Sequence, residues 1–139
     1  SMVKELSSLV LYLRYLAEPG DWLVIDEPEM NLHPEAQVQI TELLAMLVHA
    51  GLRVLITTHS PYIVDHLANL MKAAEHEDQE AISDKFYLKS TAAFISAKQV
   101  SAYLIDKGEA RNILEPEGII DWRTFSKVSD RVMQIYFEL

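Results

Sequence analysis

The chain has 139 residues, half of them apolar, and its 12 Lys and Arg stand against 21 Asp and Glu for a formal net charge of −9. That length suits one modest domain; the apolar content and the 24% charged fraction exclude the disordered and collagen-like classes. No run approaches the ~18 to 20 apolar residues of a membrane span, Ser1 to Lys4 do not begin a secretory signal, and the lack of cysteine removes disulfides and thiolate zinc sites. These features agree with a reducing, cytoplasmic setting without a membrane partner. The acidic balance argues against a nucleic-acid surface within these residues, apart from a local basic patch.

In chain order, Leu6, Leu9, Val10, Leu13, Leu16 and Ala17 recur at helical spacing, and Pro19-Gly20 ends that run, so residues 5–17 predict an amphipathic helix. Trp22 to Ile25 is apolar without alternation, the pattern of a strand covered on both faces in a parallel sheet, and it stops at Asp26-Glu27-Pro28. Pro34 fits the first position of a second helix, on which Ala36, Ile40, Leu43, Leu44 and Leu47 share one face until Gly51. Leu52, Val54, Leu55 and Ile56 form a second buried strand that ends in Thr57-Thr58-His59-Ser60, and Pro61 opens a helix bearing Ile63, Val64, Leu67, Leu70 and Met71. This alternation predicts an α/β fold, mainly a parallel sheet with flanking helices and right-handed crossovers.

Residues 74–84 are acidic and polar and read as a mobile loop at a boundary, so the chain divides into 1–73, the loop, and a small α+β extension over 85–139. Within that extension Phe86 to Leu88, Val100 to Ile105 and Asn112 to Leu114 predict short strands turning at Asp106-Lys107-Gly108. Phe125, Val128, Val132, Ile135, Tyr136 and Leu139 mark a C-terminal helix.

The chemistry concentrates at two predicted strand ends. Consecutive residues on a strand end diverge, so Asp26 and Glu27 can serve two different atoms. In a nucleotide-hydrolysing site the first carboxylate holds Mg2+ and the second polarises the attacking water. About thirty residues on, His59 stands at the end of the next strand. Parallel strands deliver their C-terminal ends to one edge, where an imidazole can bond a γ-phosphate oxygen or the attacking water.

With these motifs in place, WLVIDEPEMNLHPEAQ followed by RVLITTHSPYIVDHL resembles the C-terminal half of an ABC-type ATPase head, nearest to the SMC, RecF and OLD-like branch and its AAA-type predicted ATPases. The resemblance implies a P-loop NTPase-like fold, with Asp26 as the Walker B aspartate, Glu27 as the catalytic glutamate and His59 as the switch histidine. Glu29 to Pro34 then matches the D-loop region, so Asn31, Leu32 and His33 are expected to face a second head across a nucleotide-sandwich homodimer. By the same resemblance either Ser1 to Lys4 align with the signature motif or that motif has been cut away, and Leu6 to Ala17 would be the signature helix. The resemblance covers residues 1 to 73 most closely, while 85–139 look like the tail of ATPases in that branch.

One departure is as telling as the match. None of the four glycines, Gly20, Gly51, Gly108 and Gly118, begins a GxxxxGK[ST] loop, so the phosphate cradle and its lysine are absent from this sequence. The chain therefore reads as a fragment supplying half of an ATP- and Mg2+-dependent site, whose partners would be a Walker A lobe of the same protein and a second head. DNA, through the full-length protein, is a further candidate partner. Two alternatives compete. A Toprim-type metal-dependent nuclease would use Asp26, Glu27 and Glu29 as metal carboxylates, although Asp26-Glu27-Pro28-Glu29 is not its DxD. A non-catalytic interaction module would keep only the scaffold.

The remaining histidines, His33, His49, His66 and His76, have neither HExxH spacing nor cysteine companions, which argues against zinc. His49 and His66 read as solvated helix positions, and the run Glu75, Glu77, Asp78 and Glu80 as a solvated loop. Leu43, Leu44, Leu47, Tyr12, Tyr15 and Trp22 read as core or as the seam to an absent lobe. Strands lacking their usual neighbours would leave an apolar edge that favours dimerisation.

Overall fold

A computed structural model describes residues 2–138, with side chains for 7–122 and 127–138; Ser1 and Leu139, and the side chains of Leu6 and Phe125, lie outside the described residues. The described elements are α1 (Met2–Tyr15), β1 (Trp22–Asp26), α2 (Pro34–His49), β2 (Arg53–Thr57), α3 (Pro61–Ala74), α4 (Gln79–Ser83), β3 (Tyr103–Asp106), β4 (Glu109–Asn112) and α5 (Arg123–Glu138). They form two compact units, residues 1–96 and 97–139. Among the described residues no helix is long and apolar enough to cross a membrane.

In the first unit β1 and β2 pair in parallel, with Trp22 opposite Arg53, Val24 opposite Leu55 and Asp26 opposite Thr57. The crossover between them is α2. Pro34 occupies its first turn, where no amide is needed, and Glu35 places an acid at the positive end of the helix dipole. Gly51, at φ 104°, closes the helix in the left-handed conformation: its amide donates to Val48 O and that of Leu52 to Leu47 O. The chain thereby turns straight into β2.

Among the described residues only one face of this two-stranded sheet is covered. Leu23, Leu32, Ile40 and Leu44 form its core, with Leu9 and Tyr12 of α1 and Ile25, Leu47, Val54 and Ile56 packed around them. The opposite face carries Trp22 at 61% and Val24 at 66% exposure, together with exposed Leu55. The expectation of strands buried on both faces is thus corrected, since a run without alternation has the same composition whether or not something packs on its second side. The guanidinium of Arg53, opposite Trp22, lies 5.7 Å from that ring's centroid and partly shields it. Val10, Leu11, Tyr15 and Leu16 are also exposed, so the predicted face of α1 is only partly used. Tyr12 donates its hydroxyl proton to Asp21 at 3.1 Å. Desolvation, and then this carboxylate, push the phenol above its ordinary pKa.

α3 begins with Ser60, whose Oγ accepts the amide of Ile63 at 3.3 Å, and Pro61 follows as the first helical residue. It packs on α2 through a second apolar set that includes Ile63, Leu70 and Met71. At this interface lies a fully buried acid. Glu42, at 0% exposure, accepts from the amides of Tyr87 at 3.1 Å and Leu88 at 2.7 Å, and its Oε1 stands 2.8 Å from Nε2 of His66. Phe86 lies against His66 with ring centroids 5.8 Å apart and against Phe94 at 4.9 Å.

These contacts correct four sequence expectations. His66 is not a solvated position: its side chain is 12% exposed beside Glu42. Residues 86–88 are not a strand, because Glu42 takes two of their amides that a ladder would need. Residues 74–84 hold a short helix in place of the expected loop, since Asp78 accepts from Ala81 N at 3.0 Å and Gln79 donates to Ala74 O at 2.9 Å. Residues 85–96, assigned from sequence to the extension, belong to the first unit, where Ala93, Phe94 and Ile95 are buried.

In the second unit β3 and β4 form an antiparallel hairpin with Asp106 opposite Glu109. Lys107 and Gly108, at φ 50° and 80°, supply the two left-handed residues that a tight hairpin matching strand twist requires. The short strands expected here are reduced to this pair and a bridge between Leu114 and Ile120. α5 follows, with Val128, Val132, Ile135 and Tyr136 exposed.

The buried acid gives a direct test. Glu42→Ala leaves two amides and His66 without their partner, and should lower unfolding stability by about 3 to 5 kcal/mol in urea titrations. Hydrogen exchange at Tyr87 and Leu88 should accelerate first.

Candidate functional site

Because the two strands pair in phase, their C-terminal ends stop side by side. Asp26 closes β1 opposite Thr57, which closes β2. The Thr57 hydroxyl donates to Asp26 Oδ1 and accepts the Glu27 amide at 3.1 Å, while that amide also donates to Thr57 O at 3.1 Å. One hydroxyl thus orients the first acid and anchors the backbone of the second. Sequence reasoning passed over Thr57; its place directly opposite Asp26 was the available signal.

Glu27 has φ 45°, a left-handed conformation in which a non-glycine residue is uncommon and costs of order 1 kcal/mol or more. The backbone leaves the strand here, so the two carboxylates do not follow strand alternation. Asp26 is exposed and Glu27 partly so, its side chain at 36%. Nε2 of His59 lies 3.5 Å from Oε1 of Glu27, and the imidazole, 82% exposed, is open to a third group. The structure therefore gathers Asp26, Glu27 and His59 at one edge of the sheet.

The two loops that carry these groups are tied together. Glu29 Oε1 accepts from Thr58 Oγ1 at 2.8 Å and from the His59 amide at 2.7 Å. Its other oxygen, Oε2, is buried with no hydrogen-bond partner among the described residues. Losing water at that oxygen costs about 1 to 3 kcal/mol, which the charge-assisted bonds at Oε1 offset. Below this tie, Gln37 of α2 donates through Nε2 to Leu32 O at 2.9 Å and accepts from Ser60 Oγ at 2.5 Å. Neither Glu29 nor Gln37 was given this bridging role by the sequence, in which the pairing of distant loops cannot be seen.

The other expected contact residues separate. Asn31 and His33 are exposed, whereas Leu32 is a core residue at 9% exposure and does not face outward. Asn31, at φ 61°, turns the loop so that Leu32 points inward and His33 precedes α2. Ser1 lies outside the described residues.

A groove of about 440 Å³ opens beside the acid pair, lined by residues of α1 and β1 and by Met30, Leu32 and Ile40. Among its described lining residues Asp26 and Glu27 are the only charged ones. These described residues suit apolar contacts and carry no positive charge to neutralise phosphate. Among the described residues no three His, Asp or Glu side chains cluster to hold a metal ion. The donors at the edge, a carboxylate and a hydroxyl, are the hard oxygens that Mg2+ accepts; such an ion takes one or two protein carboxylates and completes its shell with water and phosphate oxygens.

Residues 3–65 match the model of a protein family described as "AAA domain, putative AbiEii toxin, Type IV TA system". That stretch contains Asp26, Glu27, Glu29 and His59, and the match supports an AAA-type, P-loop ATPase-like α/β domain over these residues. No curated protein and no solved structure matches the chain.

The left-handed backbone at position 27 yields a stability test. Glu27→Gly should be about 1 kcal/mol more stable than Glu27→Ala in chemical denaturation, the reverse of the usual ranking, because glycine carries no Cβ penalty at positive φ.

Proposed function

We propose that this chain supplies half of an ATP-hydrolysing site of the ABC type in the SMC and OLD-like branch, with the phosphate cradle contributed by residues outside these 139. The observation that carries the reading is the meeting of Glu27 and His59, 3.5 Å apart, beside Asp26 at the joined ends of two parallel strands. The family match over the same residues supports the wider ATPase class. The absence of a GxxxxGK[ST] run from the sequence supports the half-site.

In this reading Asp26, oriented by Thr57, is the residue that would hold Mg2+, and the ion would supply charge neutralisation at the phosphates. Glu27 accepts a proton from the attacking water. Its partial exposure leaves one side open to that water, and its neighbour His59 donates a hydrogen bond to the terminal phosphate or to the water. Asn31 and His33 are exposed on the adjoining loop and would touch a second head in a homodimer, with Leu32 holding the loop from below. The nuclease reading has less support, because among the described residues Asp26, Glu27 and Glu29 form no cluster that could hold a metal ion.

Two measurements test this. Mg-ATP titrated calorimetrically into the 139-residue chain should bind weaker than about 1 mM, since the cradle provides most ground-state contacts; micromolar affinity overturns the half-site. In the full-length protein, Glu27→Gln should keep nucleotide binding and lower turnover by about two orders of magnitude or more, and near-normal turnover removes Glu27 from the water-activating role.

A further inference from the structure

His59 raises a problem of placement. Its imidazole is 82% exposed and so receives little guidance from packing, yet it stands 3.5 Å from Glu27. Side chains at catalytic edges lose about a hundredfold in rate for displacements near 1 Å, so the position must be fixed by something. The fixing has to come through the backbone of residues 57–60, whose two flanks differ. On the β2 side Thr57 is held in the strand pair, and on the α3 side Ser60 is held by Gln37 and caps the helix. Between them Thr58 and His59 share an anchor outside their own loop, the carboxylate of Glu29. Among the described residues Oε2 of Glu29 has no partner, so both of its side-chain bonds point to the one loop.

We infer that Glu29 is a positioning residue: its carboxylate grips Thr58 and the His59 amide, and thereby sets where the His59 imidazole stands relative to Glu27. It touches neither nucleotide nor metal. The loop that follows the acid pair thus reaches across to adjust the histidine that works with that pair, and a movement of residues 28–33 moves His59 with it. This rests on the reading of Glu27 and His59 as the phosphate-facing groups, so the test has one arm that needs no ATP hydrolysis.

In that arm, the His59 ring resonances of the 139-residue chain are followed by NMR. Glu27→Gln should shift them. Glu29→Ala should also shift them, and the double variant should move them no further than Glu29→Ala alone, because the imidazole has already left its neighbour. Glu29→Gln keeps an acceptor oxygen for both donors and should leave the ring near its original shift. Unmoved resonances in Glu29→Ala, or equal displacement by Gln and Ala, overturn the inference; if Glu29→Ala fails to fold, Glu29→Gln alone decides, since a displaced ring in that folded variant overturns it.

In the kinetic arm, on the full-length protein, Glu29→Ala should lower kcat about tenfold to a hundredfold with KM for ATP within about threefold, and Glu29→Gln should restore kcat to within about threefold. Adding Glu29→Ala to His59→Ala should cost nothing more. Additive losses, or a Gln variant as damaged as Ala, would instead assign Glu29 a direct contact with metal or substrate. Absence of ATPase activity in the unaltered protein would strike the proposed function, and the resonance arm would still decide the role of Glu29.

Discussion

The in-phase pairing of two five-residue strands is the constraint from which the site follows. Parallel register puts Asp26 beside Thr57, and Thr57 can then use one hydroxyl to receive the Glu27 amide while giving its proton to Asp26. A slip of one residue would turn every inward side chain outward and separate this trio. The register is held by what lies beneath: Leu23, Ile25, Val54 and Ile56 face the core that α1 and α2 complete, and Gly51 returns the chain into β2 at the proper point. Geometry at the edge and burial below it are therefore one arrangement.

The buried carboxylate at position 42 organises the other side of α2. A lone ionised group there would be strongly disfavoured, and it is accommodated because two backbone amides and one imidazole converge on it. Its effect is to hold residues 86–88 in an irregular path against α3. Phe86 and Phe94 follow it into an aromatic cluster with His66. The first unit thus continues to residue 96 through a polar anchor as well as apolar burial.

What the sequence made legible was whatever depends on local order. Pro34 and Pro61 opening helices, Gly51 closing one, the apolar runs before Asp26 and Thr57, and the turn at Lys107-Gly108 each act within a few residues, and each stands where its chemistry requires. From those elements alone Asp26, Glu27 and His59 could be placed at one edge. What was hidden depends on partners distant in sequence. Glu29 with His59, Gln37 with Ser60, and Glu42 with Tyr87 and Leu88 join residues 23 to 46 positions apart, and nothing in the residue types marks them as pairs. The same blindness explains the outer face of the sheet. Trp22 reads in one dimension as core or as a seam, and only the fold places Val24 and Leu55 with it on an exposed side of the sheet.

The backbone at Glu27 also limits how this position can drift over generations. With φ near 45°, it accommodates glycine, asparagine or aspartate with little distress, and resists valine, isoleucine and threonine, whose branched carbons crowd the chain in that conformation. A descendant that abandons chemistry while keeping its shape therefore has few inexpensive replacements to choose from, and those few are small or carry an amide or acid. Decay of the acid at this site would leave a narrow, recognisable set of residues behind it, whatever became of the rest of the loop.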